Sequence, residues 1–186
     1  MASLKQIHSS IPVVASMAGC AGEGDALLTD QPGLPVSVRT ADCYPILLAC
    51  GGERKAVAVV HAGWRGTAGQ VVARAIARLH SEYGIRPHDI YAAIGPGIGA
   101  CCYQVGAEVA RRFGRDAAGK LDLAAENRRQ LVAAGVAQDR IDVLGGCTYC
   151  DPVYHSYRRD GQAAGRMISY AALTSISSKL SELSPL

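Results

Sequence analysis

Apolar residues in this chain gather into short runs separated by glycine, proline and polar clusters. Val36 to Val38, Ile46 to Ala49 and Ala56 to Val60 are such runs, and each predicts a buried strand. From Thr67 to about Tyr83 the period changes. Ala68, Val71, Val72, Ala75, Ile76 and Leu79 recur at helical spacing, with Thr67 placed to cap the start and Gly84 to end it. Ile90 to Ile94 again reads as a strand. It runs into Gly95-Pro96-Gly97-Ile98-Gly99, too rich in glycine and proline to stay regular and suited to approach a ligand or another backbone. Gly106 to Phe113 and Asp122 to Ala134 have helical composition, with Gly135 as a stop, and Ile141 to Leu144 predicts a further strand. Thr174 to Leu186 carries five serines and predicts a frayed tail. Strands precede, flank and follow helices without a strict βαβ rhythm, and neither a linker nor a repeat divides the chain. The expectation is an α+β fold: a single domain over residues 1–173, a mixed β-sheet core with flanking helices, and a flexible tail at 174–186.

Composition agrees with one folded core. Hydrophobic residues make up 49% of 186 positions and charged residues 19%. The net charge of +3 comes from scattered basic residues, which argues against a nucleic-acid partner. No apolar run approaches the roughly 18 to 20 residues of a membrane span, and Met1 to Gln6 has no secretory apolar region. A cytoplasmic monomer without membrane contact is therefore expected. The seven cysteines are odd in number, so at least one is unpaired, and in a reducing compartment they serve as fillers, metal ligands or nucleophiles.

Reactive side chains stand at strand ends beside glycines. His61 closes the run Ala56 to Val60 and opens into Ala62-Gly63-Trp64-Arg65-Gly66-Thr67, while Cys43 follows another strand between Asp42 and Tyr44-Pro45. A thiolate, an imidazole and a third nitrogen or sulfur donor suit zinc, which binds sulfur at about 2.3 Å and keeps a fourth position open when catalytic. His8, just before an apolar stretch, is a better third candidate than His80 or His88, which look superficial. On the residues alone, a buried cysteine with two hydrogen-bonded histidines competes with this reading, because ligands so far apart leave no spacing signature.

Four motifs then come into play: Thr40-Ala41-Asp42-Cys43-Tyr44-Pro45-Ile46-Leu47-Leu48; His61-Ala62-Gly63-Trp64-Arg65-Gly66-Thr67; Ile94-Gly95-Pro96-Gly97-Ile98-Gly99 with Cys101-Cys102-Tyr103; and Cys147-Thr148 followed by Tyr157-Arg158-Arg159-Asp160-Gly161. In this order, from about Gln6 to about Ala172, they resemble the laccase-domain, YfiH-like family of purine nucleoside phosphorylases. The resemblance implies an α+β fold of the YfiH-like, CNF-type cysteine hydrolase kind. It implies one zinc ion per chain on His8, Cys43 and His61, with purine nucleosides and phosphate as substrates and adenosine deamination as a second activity. Family members usually carry a further segment before the Gln-Ile-His element, expected to be missing here. Ser9, Gln104 and His155 depart from the family's usual glycine, glutamate and aromatic.

Deamination calls for an acidified water and an acid/base group, for which Asp42 is the nearest carboxylate in sequence; alternatively Asp42 hydrogen-bonds the turn before Pro45. Phosphorolysis calls for anion binding. Arg65 before a helix N-terminus and the pair Arg158 and Arg159 are candidates, and Gly97 lies in the loop whose amides could approach a ligand. Cys147-Thr148-Tyr149-Cys150 is a lone CxxC without a βαβ redox context, read as a packed wall element, and Cys101 and Cys102 as small buried hydrophobes. Rival functions are a thiol hydrolase with Cys43 activated by His61, a metal-binding module without turnover, and copper polyphenol oxidation, which five histidines suit poorly.

Overall fold

The computed structural model describes residues 1–174; the expected tail beyond Thr174 lies outside them. In chain order the elements are β1 (Ala2–Lys5), β2 (Pro12–Val14), β3 (Gly19–Glu23), β4 (Ala26–Thr29), β5 (Val36–Thr40), β6 (Tyr44–Cys50), β7 (Ala56–Ala62), α1 (Trp64–Ala68), α2 (Val71–Tyr83), β8 (Ile90–Ile94), β9 (Gln104–Val105), α3 (Ala107–Arg111), β10 (Gly119–Lys120), α4 (Leu123–Ala133), β11 (Ile141–Val143), α5 (Tyr157–Asp160) and β12 (Met167–Ala171). A six-stranded sheet runs β11-β8-β6-β7-β4-β2, a four-stranded sheet β12-β5-β1-β3, and β9 pairs with β10. Pairing is mixed: β6 is antiparallel to β7 and β8, while β11–β8 and β4–β2 are parallel. The fold is α+β, with mixed sheets and flanking helices.

The run Ala56 to Ala62 is buried at every position because both faces of β7 are covered. Alternation assigns its residues to two clusters. Val57 and Val59 point toward Val36 and Val38 of the four-stranded sheet. Ala58 and Val60 point the other way, toward Val72, Ala75, Ile76 and Leu79 on the apolar stripe of α2. The layers are thus small sheet, large sheet and helices.

One helix expected from Thr67 is in fact two. Gln70 adopts φ +61 between α1 and α2, and Thr67 lies buried within α1 rather than capping it. Small residues explain the position of α1. A Cβ on Gly66 would come within 2.9 Å of the Ser9 carbonyl, and one on Gly69 within 3.0 Å of Ser10 Oγ, so the break brings α1 against the β1–β2 loop. Buried polar bonds join α1 to α4: Asn127 Nδ2 donates to Thr67 Oγ1 at 3.1 Å and Gln130 Nε2 to the Thr67 carbonyl at 2.9 Å. Gly84 ends α2 in the left-handed region as expected, and Asp122 caps α4 by accepting from Ala125 N–H.

Candidate metal centre

Two strand ends and a loop converge at one end of the central strands of the large sheet. Cys43 sits in the turn between β5 and β6, and His61 near the end of β7, in register with Pro45 of β6. His8 comes from the β1–β2 loop with φ +57, and its ring lies edge-on to that of His61, centroids 4.9 Å apart. One ligand atom from each of His8, Cys43 and His61 lies within 4.8 Å of the others.

A residue without a sequence signature organises this group. Asp25, fully buried just before β4, has Oδ1 2.7 Å from His61 Nδ1 and accepts backbone N–H bonds from Ile7, His8 and Ser9. Its main-chain carbonyl also accepts from His61 N–H. Burial alone would raise the Asp25 carboxyl, but the His61 ring and the Ser9 hydroxyl and N–H hold it down at about 2. Desolvation works against a charged His61, yet Asp25 and the Cys43 thiol raise it to about 9. Burial likewise opposes a Cys43 thiolate, and the two imidazoles outweigh it, lowering the thiol to about 7. With Nδ1 of His61 taken by a carboxylate, Nε2 is the nitrogen left to ligate, the arrangement in which an outer carboxylate fixes tautomer and ring orientation. Gly63 leaves room for the thiol: a Cβ there would lie 2.8 Å from Cys43 Sγ and 3.4 Å from His8 Cδ2. One thiol and two imidazoles, with the surrounding cleft open on the remaining side, fit a divalent ion that keeps a free position.

The three residues lie in the wall of a cleft of about 820 Å³. Arg39, Arg65, Arg158 and Arg166 also line it. Among the described residues none of these four guanidinium groups forms a salt bridge. Arg65 stacks on Trp64 at 4.3 Å, and Arg158 lies 5.4 Å from the Tyr103 ring. Tyr103 is buried in the same wall, which raises its hydroxyl to about 12. Asp25 escaped sequence reasoning, as did Arg39, Tyr103 and Arg166 among the cleft residues; of these four only Tyr103 lay inside a quoted motif.

Residues 1–174 match the family described as multi-copper polyphenol oxidoreductase laccase. The chain belongs to that family. A purine nucleoside phosphorylase of Deinococcus radiodurans is 40% identical to it over 176 residues, 89% of this chain and 67% of that protein. One of Clostridium acetobutylicum is 38% identical over 178 residues, 90% of this chain and 74% of that protein. An adenosine deaminase from an unknown prokaryotic organism, RL5, is 40% identical over 157 residues, 76% of this chain and 59% of that protein. The crystal structure of YlmD from Geobacillus stearothermophilus superimposes with a TM-score of 0.85 at 33% identity, covering 91% of this chain and 72% of that one. This chain thus spans roughly three fifths to three quarters of each relative's length.

Within this family member the other expected site residues separate. Arg65 and Arg158 face the cleft; Arg159 and Gly97 do not line it. The Arg159 guanidinium instead donates to the carbonyls of Thr148 and Tyr154 and to Asp160, knitting its own loop. Gly97 packs its α-carbon on the Tyr44 ring, where a Cβ would lie 2.7 Å from ring atoms. Asp42 borders the cleft with its carboxylate fully engaged. Oδ1 accepts from Thr148 Oγ1 and Ser156 Oγ, each at 2.7 Å, and Oδ2 from Arg158 N–H at 2.6 Å. Its bonds reach not the adjacent turn but a segment more than a hundred residues further on.

Proposed function

We propose that the chain is a zinc-dependent purine nucleoside phosphorylase that also deaminates adenosine. The observation that carries this reading is a three-ligand Cys/His/His centre in the wall of a cleft lined by four arginines that have no carboxylate partner among the described residues. His8, Cys43 and His61 would hold the ion, and zinc suits this borderline-soft donor set better than magnesium or calcium. Zinc bound there supplies Lewis acidity, acidifying water near neutral pH and polarising substrate oxygens. The names of the relatives point to the same pair of activities.

Phosphorolysis forms a bond from a phosphate oxygen to the anomeric carbon of the ribose. The glycosidic C–N bond breaks, and its electron pair leaves on the purine, which takes up a proton. Arg65 and Arg158 supply guanidinium forks for the phosphate. Tyr103, its hydroxyl protonated at neutral pH, presents a hydrogen-bond donor to the cleft. Asp42 acts as a positioning residue, because its three bonds hold the Arg158 segment against the β5–β6 turn. A cytoplasmic setting suits seven free thiols, and no helix among the described residues is long and apolar enough to cross a membrane.

A second reading has an observation in its favour. Cys43, His61 and Asp25 stand in the order nucleophile, base and orienting carboxylate that serves thiol hydrolases. The second imidazole, His8, on the same thiol favours metal binding. Incubation of zinc-loaded protein with adenosine and phosphate is expected to give adenine with ribose-1-phosphate, and inosine. No turnover at full metal loading overturns the proposal, and rapid alkylation of Cys43 in the loaded protein supports the thiol hydrolase instead.

A further inference from the structure

Four cysteines that the candidate active centre does not use, and that do not line its cleft, come together beside the Gly95–Gly99 turn. Cys101 and Cys102 lie in the turn that follows Gly99, and Cys147 and Cys150 in the turn that follows β11. One sulfur from each lies within 4.8 Å of all the others. The expectation of small buried hydrophobes at Cys101 and Cys102 is corrected here, since Cys101 is exposed and Cys102 half-buried; of the CxxC pair expected as a packed wall element, Cys147 is half-buried and Cys150 exposed. Exposure removes the reason a small hydrophobe would have to be at these positions, and leaves four sulfurs side by side to be accounted for.

The spacing suits a tetrathiolate ion. Four sulfurs at about 2.3 Å from a central zinc stand about 3.8 Å apart along the tetrahedral edges. Cys101 Sγ and Cys150 Sγ are 3.8 Å apart, and Cys102 Sγ and Cys150 Sγ 3.2 Å, well beyond the roughly 2.05 Å of a disulfide. The backbone is arranged for sulfur as well. Gly99 N–H donates to Cys147 Sγ at 3.2 Å, and a Cβ on Gly99 would press on Cys101 Sγ and on the Cβ of Cys147, each at 3.2 Å. Cys150 N–H bonds back to the Cys147 carbonyl, closing the CxxC turn.

We propose that Cys101, Cys102, Cys147 and Cys150 form a second, structural zinc site that clamps the Gly95–Tyr103 turn to the segment leading into α5. Binding exchanges four S–H protons for one ion, and the four sulfurs leave no position for substrate. The two clamped segments already touch through the Gly97–Cys147 bridge, and each sends a side chain into the cleft, Tyr103 from one and Arg158 from the other. The clamp thereby fixes one wall of the cleft without taking part in its chemistry.

Metal content tests this independently of turnover. The full-length chain isolated under reductant is expected to hold about two equivalents of zinc, the C101S/C150S double variant about one, and Cys43→Ser about one, lost from the other site. Cobalt substitution gives a second readout. The wild type and Cys43→Ser are expected to show intense sulfur-to-cobalt charge transfer, and the double variant only the weak band of a single thiolate. Should the double variant fail to fold, alkylation mapping of the wild type decides: the four thiols are expected to resist iodoacetamide until a chelator is added. A wild type with at most one equivalent, lost on Cys43→Ser, overturns the proposal. So does alkylation of Cys101, Cys102 and Cys150 before chelation, or a Cys102–Cys150 disulfide in the freshly isolated protein.

Discussion

The carboxylate of Asp25 and the imidazole of His61 meet at 2.7 Å with both groups shielded from solvent. Because the same carboxylate receives the main-chain N–H of His8, one side chain fixes two of the three expected ligands, one through its ring and one through its backbone. Asp25→Asn keeps the volume but turns an amide NH2 toward donors that need an acceptor. Loss of such an outer partner weakens metal binding by about 10- to 100-fold, and unpaired buried N–H groups cost about 1–3 kcal/mol. Competition against a chromogenic chelator and urea denaturation measure the two effects; wild-type affinity in the variant would refute the assigned role.

Gly63 isolates sterics from chemistry. Its backbone, φ −81 and ψ 174, is open to any residue, so Gly63→Ala introduces no backbone strain. The new methyl would stand 2.8 Å from Cys43 Sγ, closer than real Cβ contacts come. All three ligand residues remain, yet the sulfur must move. Zinc affinity is expected to fall at least about tenfold, as small misplacements at preorganised sites do, with little change in the circular dichroism of the apoprotein. Equal zinc affinities for variant and wild type would show that the thiol has slack.

How much of this was legible in the sequence depended on the kind of contact. The run forming β7 could be read because burial on both faces leaves a continuous apolar segment, and those in β5, β6 and β8 because each exposes a single residue, Arg39, Ala49 and Tyr91. β3 is largely exposed and β2 is three residues long, so neither leaves a pattern. The break at Gln70 was hidden because Val71 and Val72 continue the apolar spacing of Ala68, and its cause, close approach to Ser9 and Ser10, lies elsewhere in the chain. Cys43, His61 and His8 emerged from their motifs rather than from spacing. Asp25 and the pairing of Cys101 and Cys102 with Cys147 and Cys150 depend on the meeting of distant segments, which composition does not encode.

Asp42 offers a test in which metal and substrate binding part company. It adopts φ +84, which asparagine tolerates, so Asp42→Asn preserves the turn while placing an amide donor near Arg158 N–H or the two hydroxyls. Losing acceptors for these donors is expected to destabilise the protein by about 1–3 kcal/mol. The α5 segment should then hold Arg158 less firmly. KM for phosphate is expected to rise several-fold while zinc content stays at the wild-type level. A fall in kcat at unchanged KM would instead mark Asp42 as a proton-transfer group.

Arg158 and Arg159 are neighbours in sequence with opposite expected phenotypes. Among the described residues the Arg158 guanidinium has one hydrogen-bond partner, the Gln104 carbonyl at 3.3 Å, besides the Tyr103 ring at 5.4 Å, so Arg158→Ala removes an anion-binding group and little packing. Phosphate KM is expected to rise about tenfold or more, the scale of a charge-assisted contact, with the melting temperature near that of the wild type. Arg159 donates to main-chain carbonyls across its loop and pairs with Asp160 at 2.8 Å. Arg159→Ala is expected to lower the melting temperature by about 2–4 °C and to affect KM only through the loosened loop. Measured side by side by calorimetry and initial rates, the two alanine variants separate ligand recognition from loop assembly. A shared kinetic defect without any thermal difference would mean that both guanidinium groups meet the substrate.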